Sequence, residues 1–431
     1  MTTTETLLVC TVGGSHQPIV TAIETLAPCF VCFICSGRDP ATGKPGSETQ
    51  ILGQGKVIKA HPADPHPSLP NIPTLAGLAT DRYQVECVPA DDLDQVHAKC
   101  SHVFGALRER FPDATLLADY TGGTKTMTAG LVLAALDAGV ELSLVTGNRA
   151  DLVKVRDGSQ ALASANVEGV RLQRDMGNCL RAWEQYGYAE AAAGLASLAV
   201  PRASANRSCL LRARELSRAF AAWDRFDHAA ALTCLQDYAG KLDVGERALI
   251  GVLQRLLDPR SEAKRTAALL LDLYRNAERR AAQGRYDDAV GRVYRLIEWT
   301  AQWLLKRDFD IDTADVPATF DVAGTELTVS RDGKRQAALT AAWKLVERRT
   351  EGPAAVFITR ERSRLLDHLR RRNGSILAHG FKPVPASDWG SLHDWLPDAF
   401  MPMLLQEAST AGVRELPPQL PRTYQAASLE N

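Results

Sequence analysis

The stretch ATLLADYTGGTKTMTAGLVLAALDAG, residues 114–139, decides the fold class. ATLLAD is short and apolar, as a strand buried on both faces must be. TGGTKT (Thr121–Thr126) is a turn of glycines and hydroxyls. MTAGLVLAALDAG (Met127–Gly139) has helical composition and a glycine stop. Strand, glycine turn and helix form one half of a βαβ unit. The pattern recurs towards the amino terminus. TLLVCTVGG (Thr6–Gly14) reads as a strand and turn before a helix, QPIVTAIETL (Gln17–Leu26). FVCFICSG (Phe30–Gly37), YQVECVPA (Tyr83–Ala90) and ELSLVTGN (Glu141–Asn148) read as three further strands, with a helix over Leu93–Phe111. Alternation of strands and helices predicts a mostly parallel sheet that receives ligands at the carboxyl ends of its strands. Gly37–Pro73, rich in Gly, Pro and His, is a long excursion without an assigned role.

The expected fold is therefore an α/β Rossmann-like domain over residues 1–160 and an all-α remainder. From about residue 165 the chain is rich in Ala, Leu and Arg with helical periodicity. Ala182–Leu195, Ala222–Leu235 and Ala282–Trp299 look alike, each with an aromatic before a small-residue helix face. They resemble tetratricopeptide-type helix hairpins, and ordinary alanine-rich helix pairs give the same pattern. Residues 165–265 are read as a helical connector and 266–431 as a second helical domain. Val316–Lys334 reads as a loop with a short hairpin, and the tail from Leu416 is expected to fray.

Composition removes several function classes. A chain of 431 residues with 45% hydrophobic residues can build two or three cores. Its formal net charge of −1 provides no general attraction for nucleic acid, so any basic surface must be local. No run of roughly 18 apolar residues indicates a membrane span, and the first residues lack a secretion pattern. Nine cysteines, an odd number, fit reduced thiols, so a cytoplasmic location is expected. Cys29, Cys32 and Cys35 have cluster-ligand spacing, but a step of three alternates faces on a strand, so they read as core thiols. His61 and His66 lack ligand spacing, and no metal site is expected. G-x-S-x-G and H-E-x-x-H are both missing.

Two glycine turns carry binding chemistry. TVGGSHQP (Thr11–Pro18) offers Gly13, Gly14, Ser15 and Gln17. DYTGGTKTM (Asp119–Met127) offers Thr121, Gly122, Gly123, Thr124, Lys125 and Thr126. Neither fits the dinucleotide or Walker spacing. Glycines let a ligand approach the backbone, and the hydroxyls, one ammonium and free helix amides suit phosphate or a nucleotide. A plain strand-to-helix turn with threonine capping is the structural alternative.

Near the carboxyl terminus, RRRNGSILAHG (Arg370–Gly380) sets Arg372 and Asn373 seven and six positions before His379. On a continuous helix Arg372 and His379 would share a face two turns apart. Gly374 between them breaks helix propensity by about 1 kcal/mol. Arg360–Asn373 contains six arginines, a local basic face.

TVGGSHQPI followed by DYTGGTKTM resembles the CARF sensor domains of CRISPR-associated proteins, over about residues 5–155. Arg372, Asn373 and His379 resemble the R-x(4–6)-H motif of HEPN nucleases, over about residues 265–400. The paired resemblance implies a homodimer of type III CRISPR defence that binds cyclic tetra- or hexa-adenylate at the CARF turns. It implies a metal-independent endoribonuclease without cofactor, with Arg372, Asn373 and His379 catalytic and Ser375 a lesser candidate. Single-stranded RNA is the implied substrate, with 2′,3′-cyclic phosphate products. Two alternatives stay open: a ligand-sensing adaptor that does not cut, and a sensor domain that degrades its own cyclic ligand through Thr124 or Lys125.

Overall fold

A computed structural model describes residues 5–39, 42–53, 70–146, 161–320, 324–349, 351–373 and 381–425. The chain divides into two compact units, Met1–Arg171 and Leu172–Asn431.

In the first unit, strands β1 (Thr6–Val12), β2 (Phe30–Ser36), β3 (Tyr83–Val88), β4 (Thr115–Asp119), β5 (Glu141–Thr146) and β6 (Ala161–Ser164) form one sheet. Its order is β3-β2-β1-β4-β5-β6. The first five strands run parallel, and β6 is antiparallel to β5. The helices between them are α1 (Gln17–Leu26), the short α2 (Thr49–Leu52) and α3 (Ile72–Leu75), α4 (Leu93–Arg110) and α5 (Lys125–Ala138). The mostly parallel Rossmann-like sheet is as expected. Strand β6 was not anticipated, because ALAS has no β-branched or aromatic residue.

Two-residue periodicity sorts the core. Leu7, Val9, Phe30, Cys32 and Ile34 pack under α4 and α5, whereas Leu8, Cys10, Val31, Phe33 and Cys35 face α1 with Ile51 and Ile72. Cys32 and Cys35 thus lie on opposite faces, and burial raises the Cys32 thiol to about 12. Among the described residues no group of His, Cys, Asp and Glu could hold a metal, and His61 and His66 lie outside those residues. Gly130 lets α5 sit directly on α4, since an added Cβ would stand 2.5 Å from Val96 Cγ1.

The second unit is helical: α6 (Glu168–Leu180, which begins in the first unit), α7 (Tyr188–Ser197), α8 (Ser204–Asp224), α9 (His228–Asp237), α10 (Val244–Leu256), α11 (Glu262–Ala282) and α12 (Tyr286–Phe309). A short hairpin is present as β7 (Thr328–Val329) and β8 (Arg335–Gln336), its second strand just past the expected end at Lys334. Helices α13 (Leu339–Arg349), α14 (Pro353–Asn373), α15 (Ala386–Trp395) and α16 (Met401–Thr410) complete it. No helix among the described residues is long and apolar enough to cross a membrane.

The three similar segments share one turn geometry. Tyr186, Phe226 and Gly284 sit at φ of 56°, 68° and 73°. In each, the left-handed residue's N–H donates three residues back and the next N–H donates five residues back: Tyr186 to Trp183 and Gly187 to Ala182, Phe226 to Trp223 and Asp227 to Ala222, Gly284 to Ala281 and Arg285 to Arg280. This is a Schellman close repeated three times. Two of the three bear an aromatic where glycine is easiest, so packing of those rings outweighs the backbone strain.

Buried charge joins the helices. The Asp224 carboxylate accepts from Arg279 Nε (2.9 Å) and Asn276 Nδ2 (3.0 Å) and lies 2.6 Å from Arg280 Nη2. All four side chains are buried. Burial holds the Arg280 guanidinium below its ordinary value, against the pull of Asp224. Arg279 Nη2 and Arg280 Nε have no partner.

The tail is not frayed through Gln425. Leu420 is buried, Tyr424 stands edge-on to Trp183 at 5.6 Å, and Tyr188 Oη donates to the Pro421 carbonyl at 2.7 Å. Arg279 Nη1 donates to Gln419 Oε1 at 2.6 Å, and Arg275 Nε to the Pro417 carbonyl at 3.0 Å. The expectation of fraying failed because polar, proline-rich sequence conceals these two apolar anchors. Removing the carboxylate that is paired directly with both buried arginines leaves them largely uncompensated. Asp224→Ala is therefore expected to lose about 3–5 kcal/mol of stability, read as a lowered urea midpoint with unchanged slope.

Candidate functional site

The order of the sheet reverses between β1 and β4, which opens a crevice at their carboxyl ends. Cys10 is paired with Asp119 in register, so the two glycine turns leave the sheet side by side. They touch backbone to backbone. A Cβ on Gly13 would stand 2.6 Å from the Gly123 nitrogen, and one on Gly122 would stand 2.5 Å from the Thr11 carbonyl. Gly123 also has φ of +92°, a conformation that glycine adopts without strain. The sequence-predicted Gly13, Gly122 and Gly123 are thus brought together.

Hydroxyls fasten this contact from within. Thr11 Oγ1 donates to the Gly122 carbonyl at 2.6 Å, and Thr128 Oγ1 donates to the same oxygen at 3.0 Å. Thr121 Oγ1 accepts from the Val145 amide at 2.7 Å. Thr124 Oγ1 caps α5 by accepting from Met127 N–H at 3.2 Å and donates to the Ala90 carbonyl at 2.6 Å. Thr121 and Thr124 therefore act as scaffold here, and the Thr124 hydroxyl is committed at both donor and acceptor. Asp119, fully buried, accepts from Thr121 N–H at 3.0 Å and from Ser143 Oγ at 3.3 Å. Burial pushes its carboxyl above the usual carboxylate range, although the Thr121 and Ser143 hydrogen bonds oppose it.

The outer surface carries the remaining expected residues. Gly14, Ser15, Gln17 and Lys125 are exposed, and Thr126 is half-buried. Helix α1 begins at His16 without a side-chain cap hydrogen bond. Exposed glycine backbone, an uncapped helix start and one ammonium suit an anionic ligand. Sequence reading passed over Thr11, Thr128, Asp119, Ser143 and Gln50. Asp119 could have been noticed as an acid ending an apolar strand. Gln50, whose Nε2 donates to the Gly13 carbonyl, sits in the excursion and has no local signal.

In the second unit, α14 buries Ala354, Phe357, Ile358, Glu361 and Leu365 at helical spacing. Glu361 accepts from Trp395 Nε1 at 3.1 Å and pairs with Arg360 at 3.2 Å and Arg364 at 3.3 Å. Desolvation raises the Glu361 carboxyl, but the Trp395 and arginine hydrogen bonds outweigh it and hold the group below its ordinary value. Arg362 lies 3.5 Å from Glu347. The three described arginines of the basic face thus each have an acidic neighbour. Arg372 and Asn373 are the last two positions of α14. Ser375 and His379 lie outside the described residues, as does the helical register expected to align His379 with Arg372.

Residues 259–401, which span Arg372, Asn373 and His379, match the family described as the Csm6 HEPN domain. Csm6 of Enterococcus italicus, solved bound to cyclic hexa-2'-fluoro-hexa-dAMP, matches at TM-score 0.52 and 12% identity, over 96% of this chain and 100% of that one. Can2 from Sulfobacillus thermosulfidooxidans, solved in complex with cyclic tetra-adenylate, matches at TM-score 0.24 and 14% identity, over 55% of this chain and 68% of that one. No curated protein matches the sequence. The chain thus shares the fold of Csm6 along nearly its whole length, and residues 259–401 match the Csm6 HEPN domain.

Proposed function

We propose that the protein is an ancillary endoribonuclease of type III CRISPR defence, activated by cyclic oligoadenylate at the β1/β4 turns. The observation that carries this reading is the Csm6 HEPN match across the R-x6-H motif at the end of α14. The first unit supports the regulatory half: its paired glycine turns form a partly exposed main-chain surface at a switch point. Residues 1–160 act as the sensor, 165–265 as the connector and 266–431 as the nuclease, in a cytoplasmic homodimer.

RNA brings its own nucleophile. The 2′-oxygen attacks the adjacent phosphorus, its proton passes to His379, and the phosphorus–O5′ bond breaks as the 5′-oxygen takes up a proton. The products are a 2′,3′-cyclic phosphate and a 5′-hydroxyl. Imidazole suits proton transfer near neutrality. The Arg372 guanidinium holds the phosphate and offsets the charge of the phosphorane. Asn373 orients the phosphate or His379. None of these steps requires a metal. One Arg–His pair is sparse for this chemistry, so two protomers pooling their pairs is the expected assembly. The cyclic ligand activates by binding the productive arrangement of the dimer more tightly.

Single-stranded RNA should be cleaved on addition of cyclic tetra- or hexa-adenylate, with EDTA present and absent alike. Arg372→Ala and His379→Ala should each lower that rate by roughly 100-fold or more. Normal cleavage by both variants would refute the site assignment, and RNA binding without cutting under every ring would fit an adaptor. Gly13→Ala forces the two turns apart, so it should weaken ring binding by roughly tenfold, about 1.4 kcal/mol, as measured by calorimetry.

A further inference from the structure

Part of the excursion between β2 and β3 is built onto the glycine turns. Ser36 at the end of β2 and Ser47 bind reciprocally: Ser36 N–H donates to Ser47 Oγ at 2.9 Å, and Ser47 N–H donates to Ser36 Oγ at 2.8 Å. Gly46 lies so close to the strand end that an added Cβ would stand 2.2 Å from the Ser36 carbonyl. This clamp places α2 over the carboxyl end of the sheet. From α2, Gln50 reaches the Gly13 carbonyl with its Nε2.

Gln50 is 2% exposed, and its Oε1 is buried with no hydrogen-bond partner. Two residues earlier, Glu48 Oε2 is also buried and unpartnered. A buried acceptor without a donor destabilises the molecule and is uncommon in folded proteins. Both unsatisfied atoms are acceptors, so what they lack is an N–H or O–H donor. Nε2 and Oε1 of Gln50 leave the same carbon, so the unpaired oxygen stands beside the turn on which the ligand is expected to sit. Nε2 retains a second hydrogen beyond the one given to Gly13. A carboxamide with a free acceptor and a spare donor matches adenine, whose 6-amino group donates and whose ring nitrogens accept.

We propose that Gln50 is a specificity-determining residue that reads the 6-amino group of an adenine in the bound ring. This rests on the reading that the glycine turns hold a cyclic oligoadenylate. Gln50 has two roles: its Nε2 braces the Gly13 turn, and its Oε1 accepts from the adenine amine. The bracing supports any ring, whereas the acceptor distinguishes rings that carry the amine.

The two roles separate in one experiment on the full-length protein. Calorimetry gives the affinity for cyclic tetra- and hexa-adenylate and for the same rings built from purine riboside, which lack only the 6-amino group. The natural protein should prefer the adenine ring by roughly tenfold or more, since an unfilled polar site strongly rejects the analogue that lacks the group. Gln50→Met, nearly isosteric, should reduce that preference at least severalfold, and Gln50→Glu, which keeps an acceptor, should retain it. An equal loss of both rings in Gln50→Met, with the preference intact, would leave only the brace and overturn the proposal. So would equal affinity of the natural protein for the two rings, whatever the variants do. Failure of the natural protein to bind either ring would defeat the reading of the sensor site as well.

Discussion

The first unit is organised around two glycine turns that approach closer than side chains allow. The β1–β4 register sets Cys10 beside Asp119, so both chains leave the sheet at one level. Where they meet, an added Cβ at Gly13 or Gly122 would stand within 2.6 Å or 2.5 Å of a main-chain atom. The result is a surface made mostly of backbone. Such a surface presents amide dipoles with few side chains in the way. Around it, Thr11, Thr128 and Thr121 use their hydroxyls to hold the contact shut.

The helical unit solves a different problem. Its cores are filled by large aromatics such as Trp183, Trp223 and Trp395, and buried charge adds specific ties between the helices. Asp224 binds three side chains of α11 and so fixes that helix against α8. The carboxyl-terminal residues add a strap across the same helices, anchored by Leu420 and Tyr424. Helix packing around α14 rests on a comparable device: buried Glu361 satisfies the Trp395 indole and is neutralised from the solvent side by Arg360 and Arg364.

Periodicity made the elements legible. The strand–turn–helix order, the core placement of Cys32 and Cys35, and the β7–β8 hairpin follow from local chemistry. Pattern reading missed β6, whose ALAS is held by pairing to β5 rather than by propensity. Thr121 and Thr124, read from the sequence as ligand groups, have tertiary partners at Val145 and Ala90 that no local pattern announces. The tail from Leu416 looked frayed because its anchors, buried Leu420 and half-buried Tyr424, stand among prolines and polar residues.

Residue order alone determined the alternation of strands and helices, the two glycine turns and the Arg–Asn–His spacing, because each is set by neighbours in the chain. Tertiary structure decided which glycines touch, which hydroxyls are spent, and that Gln50, 37 residues after Gly13, grips its carbonyl. Those outcomes depend on strand order and register, and these come from closing a whole sheet rather than from any local stretch.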